Sequence, residues 1–245
     1  MLEQRRDGTI SWLTLHRPER LNAFTAHGYR ALRTALQRLV GDDTTRIVVL
    51  TGHGRAFSVG ADRSLLDGAA SAGERQQAGE EFLGLLEVLR TFDKPLFAAV
   101  NGLAVGFGAT LLLYCDVVLL AETARLRLPF TALGIVPEAG SSALLPTQGR
   151  WTDAMWAVLS SEWMDAATAV QTGLALRVVP DSELLPQIRQ AAAAVAAHDP
   201  RAVAATKRLM VSGRTAAAQL AIERELDEMR ILHPIPGPEP PEGTL

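Results

Sequence analysis

Lysine and cysteine are nearly missing from this chain of 245 residues: Lys94 and Lys207 are the only lysines among 24 basic side chains, and Cys115 stands alone. One cysteine cannot close an intramolecular disulfide, and no Cys/His cluster has zinc-site spacing, so a reduced, metal-free protein is expected. An excess of charge of one sign is also lacking. Twenty-seven acidic residues against 24 basic ones leave a net charge of −3, which gives no electrostatic drive toward nucleic acid or an anionic membrane. Any anion would most often meet a forked guanidinium. Long apolar runs are lacking too. The longest uncharged stretch, 95–115, contains Asn101, Gly102, Gly106 and Gly108, and so divides into strand, turn and helix instead of forming a membrane span of about 20 residues. Residues 1–8 are charged where a secretory signal needs an apolar core, and Gly243-Thr244-Leu245 does not match the Ser-Lys-Leu peroxisomal address. A cytoplasmic location is expected. There is no Gly-Lys pair and no complete Gly-x-Gly-x-x-Gly, which excludes Walker-type and dinucleotide phosphate loops.

What is present suits a sizeable core, since 48% of residues are hydrophobic and 21% charged. Residues 9–15 alternate, with Leu13 and Leu15 adding a second register, which predicts an edge or half-buried strand. Thr25 is a suitable N-cap for a helix with Leu32, Leu36 and Leu39 on one face, stopped at Gly41. Two β-branched or apolar runs, 47–50 and 96–100, read as buried parallel strands, and 74–90 reads as the helical crossover between them. Further strands are expected at 117–121 and 126–129. Helices are expected at 151–159, 184–197, 200–211 and 215–229. The fold class is therefore α/β, divided into a sheet-rich core 1–150, a helical part 151–232 and a proline-rich tail 233–245. Trp151, Trp156 and Trp163 are expected to pack the helical part or a subunit interface.

Each central strand runs into a glycine-rich turn: Gly52-His53-Gly54-Arg55-Ala56-Phe57-Ser58-Val59-Gly60-Ala61-Asp62, and Asn101-Gly102-Leu103-Ala104-Val105-Gly106-Phe107-Gly108. Neighbouring strands would bring the two turns together, and a helix starting near Gly106 or Phe107 would aim free N–H groups outward. Such donors build an oxyanion site. The same glycines also suit plain tight turns. Ala56-Phe57-Ser58-Val59-Gly60 lies one substitution from a Gly-x-Ser-x-Gly elbow, which leaves a Ser58 hydrolase as a rival, although several loop residues separate Ser58 from the strand end.

These turns, with Arg17-Pro18-Glu19-Arg20-Leu21-Asn22-Ala23 before them and Cys115-Asp116 after, resemble the crotonase (enoyl-CoA hydratase/isomerase) superfamily in order and approximate spacing. The resemblance runs to about Arg177. It implies a spiral of ββα units, acyl-CoA thioesters as substrates, CoA as part of the substrate with no separate cofactor, and a homotrimer or hexamer. It further implies that the N–H groups of Ala61 and Phe107 form the oxyanion site, and that CoA passes Arg20, Leu21, Ser58, Val59, Asp62 and Arg63. Asp62 equally suits a helix N-cap.

Hydratases of this family are expected to carry two glutamates where this sequence has Thr110 and Phe130, so the paired carboxylates that would activate water are lacking. One acid remains in Pro137-Glu138-Ala139-Gly140-Ser141-Ser142. That stretch resembles the Pro-Glu-x-x-Ser-Ser loop of peroxisomal-type delta3,delta2-enoyl-CoA isomerases, as do bulky Phe107, Thr110-Leu111-Leu112 and Pro129-Phe130. The resemblance implies Glu138 as the base, with Leu133, Ile135, Val136 and Phe130 as apolar neighbours that raise its pKa. A surface glutamate before a helix is the plain alternative. The expectation is double-bond isomerisation; a hydratase using another acid and a non-catalytic acyl-CoA binder are the competitors.

Overall fold

The computed structural model describes residues 1–233. Strand β1 (Leu2–Asp7) pairs antiparallel with β2 (Ile10–Leu15), and helix α1 (Ala26–Val40) follows. The chain then makes three similar passes, each placing one strand in a large sheet and the next in a small one. These are β3 (Ile47–Gly52) with β4 (Ala56–Ser58), β5 (Leu96–Val100) with β6 (Leu103–Val105), and β7 (Val117–Ala121) with β8 (Arg125–Arg127). Helices α2 (Arg63–Leu66) and α3 (Ala72–Thr91) separate the first two passes, and α4 (Phe107–Thr110) the next two. Beyond them come α5 (Ser141–Gln148), α6 (Trp151–Ser160), β9 (Trp163–Asp165), α7 (Ala166–Gln171), β10 (Arg177–Val179), α8 (Leu184–Ala196) and α9 (Pro200–Leu232). The sheets run β1-β2-β3-β5-β7-β10 and β4-β6-β8-β9. This is the expected α/β spiral with a helical C-terminal part.

Local chemistry explains the elements. In β3 residues 47–51 are buried, and in β5 every residue is, as parallel strands covered on both faces require. Thr25 accepts the Gly28 N–H to start α1, which buries Leu32, Leu36 and Leu39 at helical spacing. Ser71 and Glu74 form a capping box at the start of α3. Glu81 of α3 accepts from Arg30 and Arg33 of α1 at 2.7 and 2.7–2.9 Å, tying the two helices together. Lys207 of α9 donates to Lys94 O at 2.6 Å and to Asp116 at 2.8 Å, while Asp116 accepts the Leu96 N–H at 2.7 Å. That chain of bonds anchors the first half of α9 to the start of β5.

Four expectations change. Residues 9–15 lie inside the sheet, because the charged 2–7 segment pairs on their outer side; the second apolar register reflects burial on both faces of β2. The helices expected at 200–211 and 215–229 are one helix, α9. Gly213 has no atoms within 4 Å of where a Cβ would stand, and an exposed glycine costs only about 1 kcal/mol relative to alanine, too little to break a helix fastened at several points. The region expected to be helical contributes β9 and β10, three-residue strands that complete the two sheets. Trp151, Trp156 and Trp163 are exposed by 65%, 62% and 49%, so they do not pack the helical part. The proline-rich stretch 234–245 lies outside the described residues. Among the described residues no helix is long and apolar enough to cross a membrane.

Candidate active site

The two glycine-rich turns meet. β4 and β6 are parallel neighbours, and the turn after each ends against the other. Gly60 has φ +80°, and a Cβ on it would stand 2.8 Å from Val105 O and 3.0 Å from Phe107 N. A Cβ on Gly108 would stand 2.0 Å from Ser58 O. Only glycine at both places lets the segments come this close.

This contact arranges two donors that have no bonded partner among the described residues. Ala61 forms a parallel bridge with Phe24 in which Phe24 N–H bonds Gly60 O and Asp62 N–H bonds Phe24 O, both at 2.7 Å. The bridge uses the Gly60 carbonyl and the Asp62 N–H on either side of Ala61, so the Ala61 N–H points away from it. Phe107 is the first residue of α4, so its N–H has no partner within the helix. Its ring is 1% exposed and packs against Phe24, Tyr29 and Phe82 at centroid distances of 5.3, 5.6 and 5.1 Å. The Phe107 ring thus fixes the start of α4, and Phe82 brings α3 to the wall of the site.

Glu138 reaches the same place from the turn before α5. Thr110, at the other end of α4, lies with its Oγ1 3.4 Å from Glu138 Oε1. The Glu138 carboxyl is pushed up to about 8, chiefly by loss of water around it and next by the negative charge of Glu225, with the Thr110 contact opposing. A carboxyl of this strength can both accept and return a proton near neutral pH. Tyr29 is pushed upward by burial first and by the Glu138 charge second, and its ring packs on Phe107 at a centroid distance of 5.6 Å. Phe130 is 2% exposed. Thr110 and Phe130 stand at the two positions where hydratase glutamates are expected, and neither can titrate as a carboxylate.

The other expected contacts divide. Arg20 and Arg63 are exposed, while Leu21 and Val59 are half-buried beside the first turn. Leu21 N–H bonds Pro18 O, and Val59 N–H bonds Leu21 O at 3.1 Å, so these segments lie together. Ser58 is fully buried; its Oγ donates to Asn22 O at 2.9 Å and accepts the Gly60 N–H at 3.1 Å. That hydroxyl supports the turn and is turned away from any substrate, which removes the Ser58 hydrolase. Asp62 caps α2 through the Ser64 N–H and meets Arg17 Nη1 at 2.5 Å. Burial would raise its pKa, but the Arg17 and Ser64 bonds outweigh burial and hold it below the usual range. Its side chain is therefore committed to the loop.

Two functional-looking residues escaped the sequence. Asn22, with φ +58°, accepts the Arg17 N–H and donates to His53 O and Ala56 O, stapling the first turn. Glu225 of α9 accepts the Gly140 and Ser142 N–H groups next to Glu138. No local pattern marks a lone glutamate in a long helix. Size alone would also mislead: a surface cavity of about 930 Å³ runs among Phe97, Leu112, Leu174 and Met210, away from Glu138. Among the described residues no group of three His, Cys, Asp or Glu could hold a metal ion.

Two outward-facing N–H groups near a half-buried carboxyl of raised pKa are the parts with which an oxyanion can be held while a proton moves. Residues 5–235 match the profile of the enoyl-CoA hydratase/isomerase family, and the chain belongs to that family. It is 39% identical to a probable enoyl-CoA hydratase of Rhodobacter capsulatus over 89% of this chain and 84% of that one. It is 33% identical to a 1,2-epoxyphenylacetyl-CoA isomerase of Escherichia coli, covering 91% and 86% of the two chains. The crystal structure of an enoyl-CoA hydratase/isomerase from Pseudoalteromonas atlantica superposes with a TM-score of 0.87 at 33% identity, over 96% of this chain and 92% of that one. Both hydratase and isomerase names occur among these relatives, with hydratase names prominent.

Proposed function

We propose that this enzyme moves the double bond of a 3-enoyl-CoA to the 2-position, with Glu138 as the sole proton carrier. The observation that carries the reading is the composition of the site: one carboxyl pushed up to about 8 with the Thr110 hydroxyl 3.4 Å from it, while the other carboxyl acting on it, Glu225, is bonded through both oxygens to backbone N–H groups. Ionised Glu138 takes a proton from C2. The C2–H electron pair forms C1=C2 as the carbonyl pair moves onto oxygen, where the Ala61 and Phe107 N–H groups hold the charge. The oxygen pair then re-forms the carbonyl, C2=C3 forms, and the C3=C4 pair takes the proton back from Glu138 at C4. Atoms and charge balance with no water consumed. The CoA moiety passes the first turn near Arg20, Leu21, Val59 and Arg63.

Hydration is the second reading, favoured by the names of the relatives and by the presence of Glu225 as another acid nearby. Both Glu225 oxygens already accept backbone N–H groups, and the residue is 7% exposed, so water has little access to it. A 3-enoyl-CoA and crotonyl-CoA offered separately distinguish the readings: formation of the conjugated thioester with no hydration of crotonyl-CoA supports isomerisation, and rapid hydration of crotonyl-CoA contradicts it. Stabilisation by CoA esters without turnover of either would indicate a binder. Because the base must be ionised and its carboxyl is pushed up to about 8, kcat/KM should rise with pH through that region and level off above it. A profile already flat from pH 5 would contradict Glu138 as the base.

The exposed Trp156, Leu159 and Trp163 support assembly into a homotrimer or hexamer. Sedimentation equilibrium should give three or six times the 26.3 kDa chain mass; a monomer at micromolar concentration would contradict it.

A further inference from the structure

The turn carrying Glu138 has an unusual backbone. Ala139 has φ +61° and Gly140 has φ +71°, two left-handed residues in succession, the first with a side chain. Such a backbone persists where its surroundings hold it. Three contacts do so. Tyr114 Oη donates to Ala139 O at 2.7 Å. Glu225 Oε2 accepts the Gly140 N–H at 2.7 Å and its Oε1 accepts the Ser142 N–H at 2.9 Å, across 85 and 83 residues of sequence. Ala218, also on α9, lies under Gly140, where a Cβ would stand 3.1 Å from Ala218 O. The Ser141 N–H returns to Glu138 O at 3.0 Å and closes the turn.

We infer that Glu225 is a positioning residue for the reaction: its carboxylate fastens the 138–142 turn to α9 and sets a second negative charge against Glu138. The inference rests on the reading of Glu138 as the base. Among the described residues neither carboxylate has a Lys, Arg or His nitrogen within 4.0 Å. Glu138 is faced by Thr110 from α4, Tyr29 from α1, Tyr114 after α4 and Glu225 from α9. Tyr114 in turn feels Glu225, Arg214, Arg90 and Glu138. Arg214 is turned to Leu113 O at 3.2 Å and Asp116 at 3.8 Å, and Arg90 pairs with Glu87. Among the described residues no bonded cation neutralises Glu225; burial raises its own pKa, and the Ser142 and Gly140 N–H bonds oppose that rise and favour its charged form.

Removing that charge makes Glu138 easier to ionise, so its base form persists to lower pH. In Glu225→Gln the acidic limb of kcat/KM should move down by about one pH unit, with kcat on the plateau reduced by about tenfold as one of the two turn bonds is lost. Glu225→Asp keeps the charge but shortens the reach: kcat should fall while the limb stays. An acidic limb that does not move in a folded Glu225→Gln overturns the role of Glu225 alone. Full activity in Glu138→Gln overturns the base assignment together with it. If Glu225→Gln does not fold, wild-type protein carrying ¹³C-carboxyl glutamate decides the matter. The Glu138 signal, identified by its loss in Glu138→Gln, should titrate in two steps with a coupled partner, and a single unperturbed step overturns the inference.

Discussion

Glu138→Gln loses isomerisation of a 3-enoyl-CoA by about 10²–10⁴-fold, the range associated with removing a general base, while binding of the thioester is retained. The amide is nearly isosteric and keeps the contact with Thr110, so the loss reports the proton carrier and not the shape of the site. The variant also carries an internal check on folding. Folding raises the Glu138 pKa, so the neutral form stabilises the native state below the ordinary glutamate range, and that stability is lost as pH rises through about 8. Glutamine cannot ionise. The variant should therefore melt above wild type at pH 9 and close to it at pH 4. An inactive variant with that melting pattern has lost chemistry alone; equal activity would remove Glu138 from the mechanism.

Ala61→Pro lowers kcat by about 10²–10³-fold or more, because it deletes one oxyanion donor and sets a ring carbon where that N–H pointed. The neighbouring bridge uses Phe24 and Asp62 N–H groups, so proline at 61 removes no bond of the framework. Ala61→Gly, which keeps the N–H, should stay near wild type. Substituting Phe107 would be less informative, since its ring also packs on Phe24, Tyr29 and Phe82. If Ala61→Pro retained full kcat with melting unchanged, the charge would be stabilised elsewhere.

The parts of the proposed site differ in how far the sequence announced them. Glycines flanked by strand-like runs announced close backbone approach and a helix start near Gly106 or Phe107, while Ala61 and Phe107 as the two donors came from the family resemblance; Gly60 and Gly108 turn out to be the positions where a side chain would collide with the opposing turn. The central strands were legible because residues buried on both faces make continuous apolar runs. β1 was hidden, since a charged edge strand has no such signature, and its pairing changed the place of β2. β9 and β10 are too short for any periodicity. Ser58 and Asp62 resembled ligand contacts by position, yet each is held by bonds to residues tens of positions away, Asn22 and Arg17. Glu225 lies at the extreme of this: its meaning depends entirely on where α9 returns across the chain.

The measurement that bears most directly on a single proton carrier is the fate of hydrogen when wild-type enzyme turns over a 3-enoyl-CoA in D₂O, read by NMR of the product. One sheltered carboxyl taking a proton at C2 and returning it at C4 predicts a conjugated 2-enoyl thioester whose C4 partly retains the original C2 hydrogen, with no hydroxyacyl product. A 3-hydroxyacyl thioester as the main product, or no product at all, would contradict it.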